Sequence, residues 1–329
     1  MLHHARAVIL VVLVQACGAN GSAPDGGGST FADGSTSGDA SPLDPDGSSP
    51  GSADILVPAQ GALLGHFYGR GSLAETDARI GRKPAVHLSY FGWTDDWPAD
   101  LAADFADDRI PLVNWEPMTD GRPVDFEAIV RGDFDTMVSA RARAAKRVAR
   151  KFFLDFAAEM NGDEGWGDHV PARYIAAYRH IHDLFAAAGA TNVVWIWAPN
   201  VTDVPGGPAT LEYYPGDAYV DWTGVDGYNW GASDPDFEWQ TFREVFADIY
   251  PTLATKAKPI FIGEMASDEV GGSKADWIGA IVDTLKIDYP LIKGVVWFDI
   301  EKERRWQIDS SAAASAAYRQ MASDPFMNP

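Results

Sequence analysis

KFFLDFAAEMNG, residues 151–162, decides the fold. An apolar run of strand length, too short for a typical helix, ends in a glutamate, Glu159, followed by Asn and Gly. That is how a strand buried on both faces looks where it hands over to a loop. KPIFIGEMAS, residues 258–267, repeats the pattern and ends on Glu264. Six further runs match: ALLGHFYG (62–69), AVHLSYFGW (85–93), IPLVNWEP (110–117), NVVWIWAPN (192–200), VDWTGVDGYN (220–229) and IKGVVWFDIE (292–301). Between them lie helical patterns, clearest at 134–150, 171–189 and 273–289, with Gly189 placed to cap the second. The spacing predicts an α/β (β/α)8 TIM barrel over residues 59–329. A doubly wound open sheet is the alternative. It has one crevice, and so explains less well why polar and aromatic residues follow nearly every strand.

In a barrel, Glu159 ends the fourth strand and Glu264 the seventh. Carboxylates at the C-terminal ends of barrel strands read as functional. Two that face each other across a cleft are what glycosidic bond cleavage requires. An ion pair at the barrel rim is the competing reading for either one.

Composition narrows the partners. The 329-residue chain carries 26 Lys and Arg against 47 Asp and Glu, a formal net charge of −21. Such a polyanion repels nucleic acid and anionic membrane surfaces and disfavours acidic polysaccharides, so a neutral substrate is expected. Twelve tryptophans suit sugar stacking but are also ordinary core material.

The N-terminus has its own organisation. Residues 1–16 have the shape of a signal peptide, with a short apolar run behind Arg6. Cys17, the single cysteine, follows Val14-Gln15-Ala16 in a lipobox-like setting, which predicts a lipidated, exported chain held at the bacterial outer membrane. A plain secretory signal with an incidental cysteine is the alternative. Residues 17–58 are rich in Gly, Ser, Asp and Pro and read as a disordered tether. The Gly-x-Ser-x-Gly match at Gly47–Gly51 falls inside it and is read as chance.

Five motifs in order point further: AEMNG (158–162), YRHIHDLFAAAGATNVVWIWAPN (178–200), YYPGDAYVDWTGVDGYN (213–229), KPIFIGE (258–264) and VVWFDIEKERRWQIDSS (295–311). Together they resemble glycoside hydrolase family 26, from Gly61 to Ser311. The resemblance implies a retaining endo-acting β-glycanase of the mannanase, β-glucanase or xylanase kind, with Glu159 as acid/base and Glu264 as nucleophile. It implies that Tyr228 hydrogen-bonds the nucleophile, that Asp226 lies in the active centre and that Trp297 floors the sugar site. Trp166, Trp115 and Trp230 follow strands and are candidate stacking platforms. The chain departs from the family twice. Ala158 stands where His is usual, and Phe298 where some mannanases have Arg, which implies a changed substrate or a donor from another strand such as His87, with weakened catalysis as the alternative. No cofactor and no metal are expected, since His180 and His182 lie two apart on a helix and face different ways. Gly69-x-Gly71 reads as a barrel loop rather than a dinucleotide fingerprint. DLAADFADD (100–108) reads as a solvated helix face. A monomer binding neutral β-linked polysaccharide is expected. A non-catalytic glycan-binding protein on a hydrolase barrel and a structural surface lipoprotein are the other readings.

Overall fold

The computed structural model describes residues 55–163, 166 and 169–328. The signal segment, Cys17, the Gly47–Gly51 match and most of the tether lie outside the described residues.

Each of the eight predicted runs is a barrel strand. They are β1 (Leu63–Phe67), β2 (Val86–Phe91), β3 (Ile110–Trp115), β6 (Phe152–Phe156), β7 (Val193–Trp197), β8 (Trp222–Asn229), β9 (Ile260–Ser267) and β10 (Ile292–Phe298). All pair in parallel, and β10 closes on β1. A two-residue-a-side hairpin, β4 (Met118–Thr119) with β5 (Arg122–Pro123), sits outside the barrel. The open-sheet alternative is thereby excluded.

The helices form the outer ring: α1 (Leu73–Ile80), α2 (Leu101–Ala106), α3 (Phe126–Val130), α4 (Asp135–Val148), α5 (Pro171–Ala188), α6 (Phe242–Phe246), α7 (Ile249–Ala254), α8 (Lys274–Gly279), α9 (Ile281–Ile287) and α10 (Ala312–Ser323). The predicted helix over 273–289 is two helices, α8 and α9, divided at Ala280. Gly189 closes α5 in the left-handed region, as expected. Gly71 leads into α1, whose Ser72 and Glu75 form a reciprocal N-terminal cap.

Alternation along the strands sorts the core into two shells. Leu63, Val86, Leu112, Phe153, Val194, Trp222, Phe261 and Val296 fill the barrel interior. Phe153 lies 5.4 Å from Trp222 and 5.1 Å from Phe261, ring to ring. Burying each such ring is worth roughly 2–3 kcal/mol. They fit because Gly294 stands opposite; a Cβ there would come within 2.4 Å of the Phe261 ring. Ile55, Leu56 and Val57, within the stretch read as tether, pack against this inner shell, and Trp222 Nε1 donates to the Ile55 carbonyl at 2.6 Å. Intervening residues face the helices: Trp115, Trp195 and Trp197 belong to the outer shell.

Candidate active site

Four consecutive strand ends build the site. Glu159 follows β6, Asn200 follows β7, Asp226 and Tyr228 lie on β8, and Glu264 lies on β9. Asn200 bridges the backbone of Asp226, whose register partner is Glu264. The two glutamates therefore open on one mouth, at the C-terminal end of the barrel.

Neither glutamate reaches it by plain alternation. On β9, Phe261 faces inward, whereas Ile260 and Ile262 face the helices. By parity Glu264 would follow Ile262 outward. An extra residue intervenes: Val225 pairs with Ile262 but Asp226 with Glu264, and β10 shows the same slip between Val295 and Trp297. This bulge at Gly263 turns Glu264 inward. Gly263 is required, because a Cβ would stand 2.6 Å from Asp226 Oδ1. At the end of β6, Ala157 and Glu159 both take positive φ, 52° and 56°. Such non-glycine residues cost roughly 1–3 kcal/mol each and cluster where backbone strain serves a site.

The two carboxyl groups sit in opposite settings. Glu264 accepts from Tyr90 at 2.5 Å on Oε1 and from Tyr228 on Oε2. Burial pushes its pKa up, and the two phenols, then Lys302, pull it back by favouring the charged form. Among the described residues Glu159 accepts one side-chain hydrogen bond, from Asn200 Nδ2 at 2.7 Å. Burial and then the Glu264 charge push Glu159 up to about 8. The donors therefore favour the charged form of Glu264 more than burial and the neighbouring charge allow at Glu159. Beneath them, burial holds Asp226 well above the carboxylate range, with the charges of Glu264, Glu159 and Asp155 adding to it. Asp155 is raised in the same way. Glu116, just beyond β3, is raised to about 7, first by burial and then by Glu264.

The expected residues divide. Glu159, Glu264, Tyr228 and Asp226 come together. Trp166 is buried and donates from Nε1 to the Ala158 carbonyl at 3.0 Å, beside Glu159. Trp230 lies half-buried at the rim, stacked on Phe237 at 5.1 Å and 6.0 Å from the Tyr228 ring.

Three expectations are corrected. Trp297 does not floor the site. It is fully buried between barrel and helices, 5.8 Å from Trp277 and 5.2 Å from Tyr318, with Nε1 donating to the Trp306 carbonyl. Its neighbour Phe298 takes the inward place, because alternation puts it on the Val296 side; it stacks on Phe67 at 5.0 Å and meets Tyr90 and Tyr228 edge-on. Trp115 also faces outward, stacked on Trp93 at 4.7 Å within the core. His87 lies on the outer face of β2 and binds Asp104 of α2 at 2.6 Å, away from the mouth. That contact buries Asp104, so α2 is not wholly a solvated face.

Asn200, the donor to Glu159, is held in place from the same motif. Its loop is pinned by Asn161, whose Oδ1 accepts from the Asn200 amide at 2.8 Å and whose Nδ2 donates to the Asn200 carbonyl at 3.0 Å. Tyr90, Glu116, Asn200 and Lys302 were not singled out from the sequence. Each follows a strand or ends one, and strand-end position was the available signal.

The chain is similar to known proteins in sequence and in fold. Residues 150–326 match the sequence pattern of Glycosyl hydrolase family 26. Over 280 residues, 82% of this chain, the sequence is 36% identical to Endoglucanase H of Acetivibrio thermocellus; the chain spans 31% of that relative's length. Among solved structures, a Bacillus subtilis mannanase superposes with a TM-score of 0.61 at 17% identity, covering 82% of this chain and 87% of the other. A Bacteroides ovatus β-mannanase does so at 0.60 and 16% identity, covering 82% and 90%. A β-mannanase from a protist symbiont of the termite Reticulitermes speratus, complexed with gluco-manno-oligosaccharide, gives 0.59 at 11% identity, covering 84% and 89%.

Proposed function

Because the chain belongs to glycosyl hydrolase family 26, we propose that it cleaves a neutral β-linked polysaccharide internally and with net retention, using Glu264 as nucleophile and Glu159 as acid/base. One observation carries the assignment of roles: two phenols favour the charged form of Glu264, while Glu159 accepts from one amide among the described residues and is pushed up to about 8 by burial and the Glu264 charge.

The reaction follows from that asymmetry. The Glu264 carboxylate attacks the anomeric carbon. The glycosidic C–O bond breaks, and the departing oxygen takes the proton from Glu159. Esterification removes the Glu264 charge, and with it one cause of the raised Glu159 pKa. Glu159, now a carboxylate, takes a proton from water as that water attacks the same carbon and frees Glu264. Asp226, neutral in this field, stands beneath the pair without adding a third charge. Tyr90 and Tyr228 hold Glu264 in line, and Phe298 offers an apolar face between them. Trp166 and Trp230 are proposed to bound the sugar sites on the Glu159 side and at the rim.

A β-glucan is the first substrate proposed, with mannan and xylan next. The name of the 36%-identical relative supports this order, as does the absence of side-chain donors at Ala158 and Phe298. Reducing-end release from mixed-linkage β-glucan, glucomannan and xylan tests it, with proton NMR following the first anomer formed. Loss of cleavage in Glu159→Gln and Glu264→Gln, with the β-anomer appearing first in the wild type, is expected. Cleavage by both variants at the wild-type rate would refute the roles. Export and lipidation at Cys17 are proposed from the sequence alone; Cys17→Ser is expected to release the protein from membranes.

A further inference from the structure

After β10 the chain turns through a tight hairpin. Glu301 and Arg305 bridge antiparallel, and the Lys302 amide donates to the Arg304 carbonyl at 3.1 Å. The hairpin places Lys302 beside Glu303, which Trp306 connects to Tyr228 at the mouth. The Lys302 ammonium nitrogen is out of solvent and makes no hydrogen bond to any described residue. It lies 3.3 Å from Glu303 Oε1. Glu303 is itself held by Trp306 Nε1 at 3.2 Å, and the Trp306 ring packs 5.0 Å from Tyr228, which donates to Glu264. An ammonium withdrawn from water with one carboxylate beside it and its hydrogen bonds unmade is unfavourable unless a strongly negative surrounding offsets the loss.

The mouth supplies one. Glu264 is faced by Tyr90 from β2, by Tyr228 and Asp226 from β8, and by Asp155 and Glu159 from the β6 end. Glu116 beyond β3 and Glu303 beyond β10 complete the set. The Lys302 charge lowers the pKa of Glu116, Glu159 and Glu264 alike. Arg304, the neighbouring cation, is turned away, donating to the Trp230 carbonyl and lying 3.7 Å from Asp234 and 3.8 Å from Asp268.

We infer that Lys302 is a positioning residue for the glycosidase reaction, its ammonium being the counter-charge that lets one carboxylate stand at a mouth where Asp155, Glu159, Asp226 and Glu264 are buried and Glu116 and Glu303 are half-buried beside them. The inference rests on the roles proposed for Glu159 and Glu264. Its signature is a displacement of the pH profile. Without Lys302, Glu264 requires a higher pH to ionise and Glu159 keeps its proton to a higher pH, so both limbs of the kcat/KM bell move upward together. A merely structural residue would change the height of the bell and leave its limbs in place.

The experiment measures kcat/KM against pH on mixed-linkage β-glucan and glucomannan for the full chain and for Lys302→Met, Lys302→Gln and Lys302→Arg. Both neutral variants are expected to shift the two limbs up by about one pH unit, a loss of about tenfold on the acid side. Lys302→Arg is expected to restore the wild-type limbs. Limbs unmoved in either folded neutral variant would overturn the inference. If Glu159→Gln and Glu264→Gln abolish cleavage in the same assay, that failure belongs to Lys302 alone; if they do not, the underlying roles fall first.

Discussion

Asn200 Nδ2 donates to Glu159 Oε2 at 2.7 Å, and Asn161, two residues beyond Glu159, grips the Asn200 backbone on both its amide and its carbonyl. The EMNG motif thus fixes a donor from the next strand, which in turn orients the motif's own glutamate. Asn200→Ala removes a hydrogen bond that favours the charged form of Glu159. Its basic limb in kcat/KM should move to higher pH, and kcat should fall by roughly 10–100-fold, because the second step needs Glu159 as a base. An unchanged basic limb would separate Asn200 from the proton transfer.

Tyr90 and Tyr228 grip one oxygen each of Glu264 from β2 and β8. Either Tyr→Phe change removes a donor to the ionised nucleophile, so the acid limb should move upward and kcat/KM should fall by roughly tenfold or more. The double variant should lose more than either single one while keeping the wild-type circular dichroism spectrum. Two silent single variants would show that the phenols do not hold the nucleophile.

The buried carboxyls set a pH dependence of stability. Glu159 rises from the ordinary 4.5 to about 8 on folding, so between those values the native state binds a proton that the unfolded chain has released. Stability must therefore fall as pH rises through that window, and Asp226, Asp155 and Glu116 act in the same direction. Thermal melts should show a higher Tm at pH 5 than at pH 8. Glu159→Gln should flatten the slope and raise stability at pH 8 by on the order of 2 kcal/mol. A wild-type Tm that climbs from pH 5 to pH 8 would contradict the raised values.

Gly263→Ala tests the bulge. The new methyl would meet Asp226 Oδ1 at 2.6 Å in a packed barrel mouth, at a cost of roughly 1–3 kcal/mol. A Tm lower by several degrees is expected, and kcat should drop more than the residual fold accounts for, since the bulge is what aims Glu264. A stable, fully active Ala variant would mean the strand can carry Glu264 inward by another route.

The strands were legible because burial on both faces leaves a short apolar run with a turn residue at each end, and that survives in the order of residues alone. The facing of residues at the mouth was less so. Trp297 and Phe298 are adjacent aromatic residues, and only the parity of β10 against the barrel axis puts Phe298 inside. His87 is polar and near a strand end, yet Asp104 on α2 claims it from outside the barrel. Tyr90 and Asn200 lie far in sequence from the glutamates they hold, and only their strand-end positions mark them.

The order of residues by itself determined the eight-stranded barrel, its closure and the two glutamates at its fourth and seventh strand ends, because strand length, turn chemistry and motif order are properties of contiguous chain. Tertiary structure alone decided which way Glu264 points and which of the two glutamates the surrounding donors favour in its charged form. The first depends on one extra residue in β9 measured against both neighbouring strands. The second depends on burial and on donors and charges delivered from β2, β7, β8 and the hairpin after β10, and electrostatic fields add up in space rather than along the chain.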